Sequence, residues 1–225
     1  MPFAAEPQAR YRECLAQIGI DPLAASNAAN QWVKEGGGDA ARHCRAMARQ
    51  SAGLPRDAAE EFELLSANAP PQRKATLLAQ AADAWVEAGA PDRALAVLTE
   101  ALALQPNDPA LLIQRAQTSV ALGQLDAAVE DLNMAIDSDG FLMEAYVLRA
   151  SALRRLDRLD RSALDLDTVL SLDRDNPDAL LERGLLRQAA GDRENAREDW
   201  RRVVAVAPDS AAAAMATRHL EDAGE

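Results

Sequence analysis

Residues 75–108 read ATLLAQAADAWVEAGAPDRALAVLTEALALQPND, and residues 109–142 read PALLIQRAQTSVALGQLDAAVEDLNMAIDSDGFL. Set one above the other, they agree at a period of 34 residues: alanine in the eighth slot (Ala82, Ala116), glycine in the fifteenth (Gly89, Gly123), alanine in the twentieth (Ala94, Ala128) and leucine in the twenty-fourth (Leu98, Leu132). The order continues through 143–176 and 177–210, with Ala150 and Gly184, Asp157 and Gly191, Ser162 and Ala196, then Leu166 and Trp200 in those slots. Each block breaks at a turn such as Ala88-Gly89-Ala90-Pro91-Asp92, where glycine ends one helix in the left-handed region and Pro or Asp opens the next. Two antiparallel helices approach closely only where one of them offers Gly or Ala. A constant period of this length therefore predicts stacked helix pairs.

The pattern resembles the tetratricopeptide repeat, which has small residues in the eighth and twentieth slots, a large one in the twenty-fourth and proline near the end, here Pro106 and Pro208. One block upstream, 39–72 supplies Ala46, Gly53, Ala58, Phe62 and Pro70, followed by a two-residue insertion at Arg73 and Lys74. Further upstream, 5–38 keeps Gly19, Ala24 and Gly36 but loses most large residues. It reads as a degenerate hairpin, roughly Glu6 to Ile18 and Pro22 to Lys34, with Asp21 as N-cap and Gly36-Gly37-Gly38 as terminator. At 211–223 a lone helix, opened by Asp209 or Ser210 and running to about Asp222, covers the last repeat. The expected fold is all-α: a right-handed α-solenoid of antiparallel helix pairs with a C-terminal capping helix and repeats at 39–72, 75–108, 109–142, 143–176 and 177–210.

Composition agrees. The 225 residues are 48% hydrophobic but only 4% aromatic, which disfavours a β sandwich or barrel. No apolar run is long enough to span a bilayer, and a formal charge of −12 argues against a nucleic-acid partner. Lys34 and Lys74 are the only lysines, an arginine and alanine bias expected of a GC-rich bacterial genome.

A charge pattern checks the register. The seventh slot holds Arg45, Ala81, Arg115, Arg149 and Arg183, and the twenty-third holds Glu61, Val97, Asp131, Asp165 and Asp199. Wherever the first helix has arginine the second has a carboxylate, and the block without one lacks the other. This predicts ion pairs, between paired helices or across to a neighbouring repeat, each contributing about 0.2–1 kcal/mol if half exposed.

No catalytic constellation emerges: there is no Gly-rich phosphate loop, no Gly-x-Ser-x-Gly and no metal cage, so neither enzyme activity nor a cofactor or metal is expected. His43 and Cys44 are adjacent and point in different directions from a helix. Cys14 and Cys44 are the only cysteines. They fall on the first helices of successive hairpins, where a disulfide is geometrically reasonable; closing a loop of roughly 29 residues would stabilise by ~3–4 kcal/mol. Met1-Pro2-Phe3-Ala4-Ala5-Glu6 reads as a start codon set before a processed N-terminus, and Tyr11-Arg12-Glu13-Cys14-Leu15, Trp32, Gly36-Gly37-Gly38 and Ala41-Arg42-His43-Cys44 resemble the N-terminal segment of secreted bacterial tetratricopeptide proteins. The expected location is periplasmic, with a signal peptide removed; the alternative is a reducing cytoplasm with two buried thiols.

The resemblance implies that partners bind a concave face lined by first helices. The predicted lining is His43, Met47, Asp83, Val86, Ile113, Gln117, Val120, Val147, Ser151, Arg154, Arg155, Leu181 and Leu185, with an apolar centre suited to a peptide. The slots with which chaperone-binding relatives clamp a terminal carboxylate are here largely apolar or acidic. The run Arg154, Arg155, Arg158 and Arg161 is interleaved with Asp157 and Asp160, as on a solvated helix end. The expected function is a noncatalytic scaffold or assembly factor for a protein or peptide partner. A carrier of lipid or another small hydrophobic ligand is the alternative, and self-association through end faces is a further expectation.

Overall fold

The computed structural model describes residues 7–224; the Met1–Glu6 segment and the first residues of the predicted 5–38 hairpin lie outside them. Among the described residues there are thirteen α-helices and no strand. They are α1 (Pro7–Ile18), α2 (Pro22–Lys34), α3 (Gly38–Ser51), α4 (Pro55–Ser66), α5 (Pro71–Glu87), α6 (Pro91–Leu104), α7 (Pro109–Ala121), α8 (Leu125–Ser138), α9 (Met143–Arg155), α10 (Leu159–Leu172), α11 (Pro177–Ala189), α12 (Arg193–Val206) and α13 (Ala211–Asp222). Within each compact unit, short turns make successive helices antiparallel neighbours, so the architecture is that of an α-solenoid of helix pairs. The described helices include none long and apolar enough to cross a membrane.

The chain resolves into two compact units, Met1–Thr118 and Ser119–Glu225, with the division inside α7. In the first unit, α1 to α6 pack in chain order. Its eighth-slot alanines, Ala46, Ala82 and Ala116, and its twentieth-slot alanines, Ala58 and Ala94, are fully buried. Phe62 and Leu98 fill the twenty-fourth slot at 1% and 0% exposure, so the small residues are where the partner helix comes closest. The Cys14–Cys44 disulfide joins α1 to α3, beside Trp32 of α2 in one apolar cluster.

In the second unit, Ala150, Leu166 and Val169 form the centre of one cluster, and Leu180, Leu181, Trp200 and Val203 meet Ala212, Ala213 and Ala216 of α13 in another. Helix α13 thus covers α11 and α12 with an alanine face while Arg218, Glu221 and Asp222 stay exposed. Where Ser162 replaces alanine in the twentieth slot, its buried hydroxyl donates to the Ala150 carbonyl at 2.8 Å, which satisfies it.

Turn and cap chemistry sets the helix ends. Asp21 accepts from the Ala24 N–H at the start of α2, and Ser210 accepts from the Ala213 N–H at the start of α13. The fifteenth-slot residues all adopt positive φ: Gly53, Gly89, Gly123, Gly191 and, without glycine's freedom, Asp157 at 60°.

Candidate functional site

Three of the seventh-slot arginines make the same forked contact with a carboxylate 16 residues on, in the second helix of the same repeat. Nε and Nη2 of Arg45 donate to Glu61 at 2.9 and 2.6 Å. Arg149 reaches Asp165 at 2.9 and 2.6 Å, and Arg183 reaches Asp199 at 3.0 and 2.6 Å. The acids are more deeply placed than the half-exposed pair considered above: Glu61, Asp165 and Asp199 are 6%, 6% and 3% exposed. The small energy of a surface pair therefore does not apply. Glu61 and Asp199 each hold a second arginine, Arg49 at 3.2 Å and Arg187 at 2.7 Å, so it is at Asp165 that removing the seventh-slot arginine would strand a buried carboxylate, a change costing ~3–5 kcal/mol. Arg149 Nη1 also donates to Asn133 of α8, and Arg45 Nη1 to Asn30 of α2, so these arginines tie a repeat to the helix before it. Hydrogen bonding to Asp165 raises the Arg149 pKa further, and Asp199 does the same for Arg183. Arg115 and Asp131, the other pair of the series, belong one to each unit.

First helices are stitched to one another by a second set of polar bonds. His43 lies between Tyr11, whose hydroxyl is 2.7 Å from Nδ1, and Gln80, whose Oε1 is 2.9 Å from Nε2. Because a carboxamide oxygen only accepts, the proton sits on Nε2, and Nδ1 accepts from Tyr11. Burial lowers the His43 pKa, the Gln80 bond opposes that, and the Arg73 charge adds to it, so the ring is neutral near pH 7. Gln50 Nε2 donates to Glu87 at 2.8 Å, and Gln114 Nε2 donates to the Ala79 carbonyl at 3.0 Å and to the Asp83 carboxylate. Partial desolvation raises the Asp83 pKa, with the Gln114 bond acting against it. In the second unit, Arg155 Nη1 approaches the Val120 carbonyl at 3.4 Å, and Arg154 Nε donates to Glu182 of α11 at 2.5 Å.

These contacts share one register. His43 to Gln80, Gln50 to Glu87, Ala79 to Gln114 and Val120 to Arg155 each join a slot of one first helix to the next-numbered slot of the following one. The separations are 37, 37, 35 and 35 residues, the larger pair including the Arg73-Lys74 insertion. Sequence reasoning missed the linkage, because the bonded residue types differ from one pair to the next.

The structure divides the predicted lining residues. Ile113 and Leu181 are buried at 9% and 7%, and Leu185 packs on the cluster that α13 completes, so those three present little surface. Arg154 already has its carboxylate, and Arg158 of the same basic run pairs with Asp126 at 2.8 Å. On the first unit, Val86 is 46% exposed, Asp83 and Gln117 are exposed, and Met47 and His43 are half-buried. On the second, Val120, Val147 and Ser151 are half-buried and Arg155 is exposed. Both faces mix aliphatic side chains with amide and charged groups already held in place. That surface can grip a polypeptide without reorganising its own polar groups.

Tetratricopeptide-repeat models match residues 86–147 and 178–210. Over 123 residues the chain is 29% identical to RNA polymerase II-associated protein 3 of Mus musculus, a match covering 55% of this chain; the chain spans 19% of that relative's length. Among solved structures, the first tetratricopeptide domain of Spaghetti (RPAP3) bound to an HSP90 peptide superposes with a TM-score of 0.51 at 26% identity, over 56% of this chain and 98% of that one. YrrB, a tetratricopeptide protein with an unusual peptide-binding site, gives a TM-score of 0.59 at 21% identity over 86% and 99%. Repeat period, helix pairing and matched segments together show that this chain carries tetratricopeptide repeats.

Proposed function

We propose that this protein is a noncatalytic interaction module, a scaffold or assembly factor that holds a peptide or protein partner on the first-helix faces of its units. One observation carries the reading. The polar side chains of those faces are tied to one another, while Val86 stands 46% exposed between Asp83 and Glu87 and Val147 stands beside Ser151 and Arg155. A face so ordered offers aliphatic contacts at little entropic cost. The peptide bound to the RPAP3 domain supports the mode of action, though not the same ligand. The repeat boundaries at 39–72, 75–108, 109–142, 143–176 and 177–210 belong to this proposal. So does residence in an oxidising compartment such as the bacterial periplasm, supported by the Cys14–Cys44 bond. Burial of Ile113 and Leu181 does not favour the lipid-carrier alternative, because it breaks the apolar stripe on which that reading rests.

The test is selection of peptides from a displayed library on the intact protein, followed by binding measurements on Val86→Arg, Val147→Arg and the outer-face control Leu164→Arg. Loss of affinity in either of the first two, with the control unaffected, is expected. Equal binding by all three would remove the first-helix faces as the site. Titration of thiols after denaturation without reductant tests the compartment: none is expected in protein recovered from the periplasm.

A further inference from the structure

The second unit carries another surface, away from the first-helix faces, between the second helices α10 and α12 and over α11. At one end is a cavity of about 870 Å³ with Leu170 and Leu180 among its apolar lining and Arg174, Arg201 and Arg202 around it. At the other is a cavity of about 310 Å³ lined by Leu159, Leu186, Asp160, Asp167 and Asp192. Both include Arg183 and Arg187, so the two adjoin at these side chains as two parts of a trough over α11.

Its charges are graded along its length. Arg183 and Arg187 both donate to Asp199, two guanidiniums on one buried carboxylate. Arg202 takes Asp175 at 2.7 Å, and Arg174 is exposed and makes no ion pair among the described residues. In the larger cavity Arg202 is paired with Asp175, and Arg183 and Arg187 with Asp199, which leaves the exposed Arg174 as a cation with no carboxylate of its own among the described residues. The smaller cavity has three aspartates, and the two arginines it shares are already spent on Asp199.

We propose that this trough binds an extended peptide segment of a partner, with its acidic side chains at the Arg174 end, aliphatic side chains over Leu170 and Leu180, and a lysine or arginine at the Asp160 and Asp167 end. Charge complementarity sets the direction of the segment. Each cavity falls within the 300–1,000 Å³ typical of ligand sites, and a lone oxyanion would leave most of the larger one unfilled.

Fluorescence anisotropy on the full chain tests this, with a dye-labelled peptide carrying glutamates and leucine at one end and lysine at the other. Saturable binding is expected, weakened at least about tenfold by Arg174→Glu and likewise by Asp167→Lys. Both positions are exposed, so melting by circular dichroism is expected to be unchanged. Val147→Arg is expected to leave this binding intact even where it abolishes binding to the first-helix face, which separates the two sites. The proposal is overturned if no saturable binding occurs, if the charge-scrambled peptide binds equally, if inorganic phosphate alone displaces the probe through Arg174 with Asp167→Lys silent, or if Val147→Arg is the variant that abolishes the signal.

Discussion

Gly184 of α11 lies directly under the indole of Trp200 of α12: a Cβ placed on it would overlap Nε1 and stand 2.6 Å from Cδ1 and 2.9 Å from Cε2. These are the eighth and twenty-fourth slots of one repeat. Other repeats fill them with Ala82 and Leu98, or Ala150 and Leu166. The last repeat has exchanged a methyl for room to hold an aromatic ring that is 1% exposed and stacks on His219 of α13 at 4.9 Å. Two departures from the repeat pattern are thus one packing solution.

Gly184→Ala is therefore expected to destabilise the second unit by roughly 1–3 kcal/mol through overpacking, although alanine is the better helix former by about 1 kcal/mol. In a Trp200→Leu background the same substitution should stabilise instead. Urea denaturation of the four proteins in this cycle measures the reversal of sign.

Arg149→Met should cost about 3–5 kcal/mol, because Asp165 stays buried without its cation. The double variant Arg149→Ala with Asp165→Val copies the second repeat, where Ala81 and Val97 are buried in the same slots, and should recover most of that loss. Equal losses in the single and double variants would contradict the assignment of the cost to a stranded carboxylate.

Acid should weaken the first unit through His43. Burial places its folded pKa below the usual 6.5, so the unfolded chain binds the proton more readily. The stability contributed by the neutral ring is present above pH 6.5 and is lost as pH falls through the folded pKa. Protonation also removes the lone pair with which Nδ1 accepts from Tyr11. The groups around the ring are Tyr11 of α1, Phe62 of α4, and Gln80 and Arg73 of α5. In thermal melts between pH 7 and 5, His43→Gln should show a shallower decline than the parent.

Asp157→Gly should raise stability by roughly 0.5–1 kcal/mol, because the residue stands at φ 60°, where the other repeats have glycine. Asp157→Val should lower it by about 1–2 kcal/mol, since a β-branched side chain fits that region worst. Calorimetry on both variants checks the pair of signs.

The sequence by itself determined the repeat, the helix pairs and their turns, the arginine and carboxylate slots, and the cysteines able to meet. Apart from the cysteines, which are 30 residues apart on successive hairpins, these depend on short separations: helix periodicity, a left-handed turn residue, and a hairpin whose tight closure forces residues 16 apart to face each other, as Arg149 and Asp165 do. Only the tertiary structure decided how much those pairs are buried, that first helices engage one slot out of step, and that Ile113 and Leu181 are core while Val86 is surface. Those outcomes depend on how far one repeat rotates on the next. That rotation is set by summed side-chain volumes across some 35 residues, as where Trp200 presses on Gly184, and no local pattern records it.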